Sequence, residues 1–349
     1  MDENRIKIVI DDAIPFIQGV FEPYAEVVYL EGKDITSDDV RDADALVIRT
    51  RTKCNADLLD GSSVRMISTA SIGSDHIDHE YCLEHGIHFA TASGCNAVGV
   101  MNYVFAALYG IAARKSIDLE GKTLGIVGVG NTGSRVAAMA RHIGLRTLLC
   151  DPPRAAAEGP DSFCSLETLL EQSDAVTLHV PLSEQTRKMA DDAFFQAMKP
   201  GALFINTARG EVVDEPSLLR AIPRLGAVII DTWNNEPYIN LDLVERVDIA
   251  TPHIAGYSYQ GKQNGTALAV RAIARFFGIE PLYEFYPETP IAELEAIKLN
   301  LKGKPQGEIA SVLSYNYPIF TDDFMFRMNP AGFENLRLNY SYRREFYVE

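Results

Sequence analysis

Leu124 to Ala140 reads LGIVGVGNTGSRVAAMA, and the order of its parts decides the fold. An apolar strand pattern runs into glycines at 128, 130 and 133, spaced G-x-G-x-x-G, and an alanine-rich helical pattern opens at Asn131 and Thr132. Gly128 permits a tight turn and Gly130 lets the backbone approach a pyrophosphate. Gly133 allows close helix–strand packing, and the helix N-terminus attracts negative charge. The next strand, RTLLCD, ends in Asp151, eighteen residues after Gly133. An acid at that offset accepts hydrogen bonds from ribose hydroxyls and repels a 2′-phosphate, so the expected cofactor is NAD rather than NADP. A glycine triplet alone could serve any strand–helix turn, and Asp151 could simply cap the turn before Pro152 and Pro153. The combination of strand, glycines, helix and acid in order is what points to a dinucleotide.

Working outward, further short apolar runs follow at 174–181, 202–210, 226–231 and 247–254, with amphipathic stretches such as LETLLEQ and EPSLLRAI between them. Nearly continuous apolar strands are expected where helices cover both faces of a parallel sheet. The first ninety residues repeat the pattern with IKIVI, EVVYL, ADALVI, VRMIST and IHFAT. The chain is therefore expected to hold two doubly wound parallel-sheet domains. Helices are predicted over about 96–115 and 258–278. From about 280 the alternation stops, and thirteen of the 32 aromatics lie in the last 71 residues. Disordered tails are aromatic-poor, so this end is expected to be a packed α+β module or a subunit interface.

Composition narrows the function classes. A formal net charge of −16 repels nucleic acid and anionic membranes. No run of eighteen apolar residues suggests a membrane span, and the acidic N-terminus enters a strand pattern at once, without the signature of a signal peptide. Five cysteines without a C-x-x-C pair suggest free thiols in the cytoplasm.

Polar groups follow three successive apolar strands of the second series, where open α/β sheets bind ligands: Arg209 in FINTARG, Asp231 and then Glu236 in IIDTWNNEP, and His253 in IATPHIAG. An arginine fork can hold a carboxylate, a histidine can take a hydroxyl proton as hydride leaves the same carbon, and a carboxylate can fix the histidine's tautomer. Taken singly, these could be a surface charge, a turn acid and a core histidine. In the first series Arg49, Arg51 and Lys53 follow ADALVI, a basic cluster that could hold a phosphate or be a solvated loop. GSDHIDHE, with His76, Asp78 and His79, starts a helix, and no metal site is expected.

The stretches GIVGVGNTGSRVA, HVPLSEQTRKM, MKPGALFINTARGEVVDEPSLLRAI and DIATPHIAGYS resemble the D-isomer-specific 2-hydroxyacid dehydrogenases over roughly residues 5–280. The resemblance implies a Rossmann nucleotide-binding domain (96–257) inserted in a flavodoxin-like substrate-binding domain (1–95 and 258–280), with catalysis between them. It implies Arg209 on the substrate carboxylate, His253 as acid/base, Glu236 as its partner and Asp231 facing the nicotinamide amide. Further cofactor contacts are implied at Val180, Thr207, Ala208 and Gly256. ADALVIRTRTKCN, LLCDPPRA and TPHIAGYSYQGKQNGT are similar to a branch acting on a phosphorylated four-carbon hydroxy acid. That branch implies Thr50 and Ser71 on the substrate and a homodimer formed through residues 281–349, while Tyr257 departs from the small polar residue of the wider family and is expected to close over the cofactor or substrate. The alternatives are another 2-hydroxyacid dehydrogenase, acting for instance on phosphoglycerate, and an NAD-sensing protein of corepressor type.

Overall fold

The structure is a computed structural model describing residues 5–348. Residues 1–4 and 349, which the sequence reading gives to the substrate-binding domain and the C-terminal module, lie outside the described residues. The chain divides into two compact units, one of residues 1–96 with 259–295 and the other of 97–258 with 296–349.

In the first unit, strands β1 (Lys7–Asp11), β2 (Glu26–Leu30), β3 (Ala45–Ile48), β4 (Met66–Thr69) and β5 (His88–Thr91) form one parallel sheet in the order β2-β1-β3-β4-β5. This is the flavodoxin-like order. Alternating side chains explain why the strands read as unbroken apolar runs. Ile8, Ile10 and Val47 pack with Val270, Ile273 and Ala274 of the helix Tyr259–Phe277. Val9, Leu46 and Ile67 pack on the other face with Leu58, Leu59 and Cys82.

The second unit carries β6 (Thr123–Val127), β7 (Arg146–Cys150), β8 (Ala175–Leu178), β9 (Leu203–Asn206), β10 (Ala227–Ile230) and β11 (Ile249–Ala250), all parallel, in the order β11-β10-β9-β8-β6-β7. The reversal of strand order at β6 and β8 marks the topological switch point, where ligands of such sheets bind. The helix Ala97–Lys115 is long and apolar enough to cross a membrane by length and composition, but most of it is buried in this unit. Together with the helix Asn131–His142 it packs on Leu124, Ile126, Ile205 and Ile229.

Residues 281–349, expected as one module, are divided between the units. Leu282, Tyr283 and Phe285 join the core of the first. In the second, strands β12 (Ile297–Leu299) and β13 (Phe346–Val348) pair in parallel. Leu301, Ile309, Leu313 and Tyr317 pack into the core around the helix Ala97–Lys115, while Phe326 and Phe333 enter the core on the other sheet face. Many of the C-terminal aromatics are thus core residues, which is why residues 296–348 belong to the nucleotide-type unit. All five cysteines are free thiols.

Candidate active site

The loop between β6 and the helix Asn131–His142 has the geometry its glycines demand. Gly128 has φ +85°, and a Cβ there would lie 2.7 Å from the His179 carbonyl carbon and 2.8 Å from the Val180 nitrogen. Gly133 lies against the carbonyl of Gly128, with no room for a side chain, whereas a Cβ on Gly130 would meet nothing within 4 Å. Gly130 also caps the twelve-residue helix without any side-chain hydrogen bond. This leaves an open cradle of backbone N–H groups of the kind that receives a pyrophosphate.

Asp151 braces the cradle. Its Oδ2 accepts from the Val129 amide at 2.7 Å and its Oδ1 from the Arg154 amide at 3.0 Å. The capping contact is therefore real, and each oxygen keeps one further lone pair for a ribose hydroxyl. Val180 follows β8, Thr207 and Ala208 follow β9, and the Thr207 hydroxyl is buried without a hydrogen-bond partner. An orphaned donor at the ligand-binding end of this sheet fits a polar cofactor.

The reactive side chains stand past the ends of β9, β10 and β11. Asn206 fixes the loop that presents Arg209, donating from its side chain to the Arg209 carbonyl at 3.0 Å and accepting from the Ala208 amide at 3.0 Å. Gly210 must lack a side chain, because its Cβ position is filled by the backbone of Trp233 and Asn234. The arginine loop is thereby pressed against the loop that carries Glu236. Glu236 accepts from the Trp233 amide at 2.9 Å through Oε1, and its Oε2 lies 2.7 Å from His253 Nδ1. Attraction to His253 and these hydrogen bonds outweigh the cost of burial and hold the Glu236 carboxyl below its ordinary range. A carboxylate on Nδ1 leaves Nε2 as the nitrogen that can exchange a proton with a ligand, and Nε2 has no hydrogen-bond partner among the described residues.

His253 has φ +55°, a sparsely populated conformation for a residue with a side chain. Asp231 holds it there. Its carbonyl accepts from the His253 amide at 2.7 Å, and its carboxylate accepts from the amides of Ile254 at 2.8 Å and Ala255 at 3.0 Å and from the Thr251 hydroxyl at 2.6 Å. Burial raises the Asp231 carboxyl above its ordinary value. The side chain that the resemblance sets toward the nicotinamide thus also shapes the histidine loop, and its Oδ2, which accepts from the Ala255 amide, keeps a further lone pair for a ligand.

In the first unit Thr50 is exposed, and the Ser71 hydroxyl lies 2.6 Å from that of Thr69. The basic cluster divides. Arg49 turns its fork to the fully buried Asp11, with Nε 2.9 Å from Oδ2 and Nη2 3.2 Å from Oδ1. Arg51 and Lys53 instead line a cavity of about 420 Å³ together with Lys33. Asp78 caps the helix His79–Glu84, and among the described residues no cluster of His, Cys, Asp or Glu is arranged to hold a metal.

Sequence reading missed Arg337, on the C-terminal helix Phe333–Leu338. Its Nη1 is 4.0 Å from Glu236 Oε2, and its guanidinium lies 5.8 Å from the centre of the Tyr257 ring. Nothing local in FENLRLNY signals a site residue.

A nucleotide cradle at a switch point, followed by arginine, glutamate and histidine past the next strand ends, defines a dehydrogenase of hydroxy acids. The chain belongs to the D-isomer-specific 2-hydroxyacid dehydrogenase family, whose NAD-binding domain is matched by residues 108–255, and it is an NAD-dependent dehydrogenase. Among its relatives, the erythronate-4-phosphate dehydrogenase of Bacteroides fragilis is 44% identical, with 97% of each chain covered. That of Yersinia enterocolitica is 39% identical, covering 98% of this chain and 93% of its own. The NAD-bound 3-phosphoglycerate dehydrogenase of Entamoeba histolytica has a TM-score of 0.67 at 27% identity, covering 82% of this chain and all of its own.

Proposed function

We propose that the chain oxidises 4-phospho-D-erythronate at C2 to 2-oxo-3-hydroxy-4-phosphobutanoate, a step toward pyridoxal phosphate. The observation that carries the chemistry is the Glu236–His253 hydrogen bond at 2.7 Å, which leaves Nε2 for the substrate. Bound NAD⁺ supplies the two-electron acceptor for the C2 hydrogen, which leaves as hydride. The cradle at Gly128, Gly130 and Gly133, the amides of Asn131 and Thr132, and Asp151 would hold it, with Val180, Thr207, Ala208 and Gly256 beside it. Arg209 pairs with the substrate carboxylate and Tyr257 closes the site. His253 Nε2 takes the C2 hydroxyl proton as that C–O bond becomes a carbonyl, and Glu236 stabilises the resulting imidazolium.

The choice of substrate is supported by near full-length similarity to enzymes named for it and by the cationic cavity. Arg51 and Lys53 would neutralise the 4-phosphate, and the hydroxyls of Thr50 and Ser71, which do not line that cavity, would contact the rest of the substrate. Arg49 is committed to Asp11 and acts by shaping that loop. The working form is a homodimer in the reducing cytoplasm. It is supported by five free thiols and by the exposed Tyr315, Phe324, Met325, Met328 and Leu338 near the C-terminus, an apolar surface that a second copy would cover. NADH formation measured with 4-phosphoerythronate, 3-phosphoglycerate and D-lactate tests the assignment. The first should have the highest kcat/KM, and a higher value for either of the others would contradict it.

A further inference from the structure

The C-terminal segment grips both loops that carry the Glu236–His253 pair. Asp323 Oδ1 accepts from the amide of Ala250, on the strand that leads to His253, at 2.7 Å. Arg327 is paired with Asp323 at 2.8 Å and donates to the carbonyls of Val244 and Val247. The ring of Trp233, which opens the Glu236 loop, lies 5.9 Å from Phe326, and Phe326 lies 5.8 Å from Phe333. One helical turn beyond Phe333, Arg337 stacks back over that ring at 5.6 Å and over Tyr257 at 5.8 Å. This packing delivers a guanidinium to the same carboxylate oxygen that His253 uses.

That position matters because of what a lone carboxylate does to a histidine. An ionised glutamate on Nδ1 favours the imidazolium, whereas a proton acceptor for hydroxy acid oxidation must be neutral when substrate arrives. We propose that Arg337 is a positioning residue for this pair: its guanidinium shares the Glu236 charge with the imidazole and so keeps His253 neutral and ready to accept the hydroxyl proton. The inference rests on the proposed role of His253 as base. The charged and titratable groups around the pair include Glu236 and Asp231 from the β10 side, Arg209 from the loop pressed against the Glu236 loop, Arg337 from the C-terminal helix and Tyr257 from the histidine's own loop. Arg337 Nη1 lies 4.0 Å from Glu236 Oε2, and its effect on Glu236 is to favour the ionised form.

Removing the cation acts on His253 twice in the same direction. It lifts direct repulsion of the imidazolium, and it frees the full Glu236 charge to stabilise it. The pH profile of kcat/KM for oxidation, measured on the full-length enzyme, reads this shift. In Arg337→Met the acidic limb should move upward by about one pH unit while the alkaline plateau stays near wild type, and Arg337→Lys should restore most of the original limb. A drop by one factor at every pH, with the limb unmoved, would indicate a purely structural role and overturn the proposal. A rise in KM with the limb unmoved would do the same, by making Arg337 a substrate ligand. His253→Gln separates failure of the underlying reading. If it keeps turnover and the same limb, the base assignment itself is wrong; if it loses turnover while the limb of Arg337→Met stays in place, Arg337 alone is misassigned.

Discussion

Both units place polar side chains past the C-terminal ends of parallel strands, but they bind those side chains to the fold in different ways. In the second unit Arg209, Asp231, Glu236 and His253 sit in a continuous set of short hydrogen bonds and close backbone contacts, with Gly210 pressed on the Glu236 loop and Asp231 clamping the histidine loop. In the first unit Thr50 and Lys53 are exposed, and Arg51 Nη1 lies 3.8 Å from Glu31 Oε1. Proton transfer requires a base held in place within hydrogen-bond reach, whereas neutralising a phosphate tolerates mobile cations on long stems. The difference in order matches the proposed division between proton transfer and substrate capture.

Substitutions in the two units should break this division in opposite kinetic parameters. The largest effect is expected for His253→Ala, which should lower kcat by about 10²–10⁴-fold while leaving NAD binding within about twofold by calorimetry, since the cradle at Gly128–Gly133 is built from other residues. Wild-type turnover in that variant would remove the chemistry from the second unit. A smaller effect is expected for Arg51→Gln combined with Lys53→Gln. Loss of two charge-assisted contacts, each worth about 1 kcal/mol, should raise KM for 4-phosphoerythronate by about tenfold or more with kcat nearly unchanged. KM for D-lactate, which carries no phosphate, should stay where it was. An equal rise for both acids would show that the cluster supports the fold and not the phosphate.

How much of this was legible in the sequence follows from the kind of contact each residue makes. The glycines announce themselves because a turn, a close approach and a tight helix packing each exclude a side chain at a fixed spacing. Arg209, Glu236 and His253 are visible because each stands a few residues after an apolar strand, and strand ends of such sheets converge. Asp231 and Arg49 were placed in the right loops, but the contacts that hold them there were not foreseen. Their partners, the amides of Ile254 and Ala255 and the buried Asp11, are fixed by tertiary packing that no local pattern encodes. Arg337 was invisible for the same reason. It reaches Glu236 because Phe326 and Phe333 dock beside Trp233, and aromatic density alone could equally mark a core or an interface.

The most direct test of the account is the fate of the C2 hydrogen. With 4-phosphoerythronate carrying deuterium at C2, the NADH produced by the wild-type enzyme should contain one deuterium at C4 of the nicotinamide ring by mass spectrometry. NADH free of the label, or no NADH at all from this substrate, would contradict hydride transfer from C2 and with it the roles given to Arg209, Glu236 and His253.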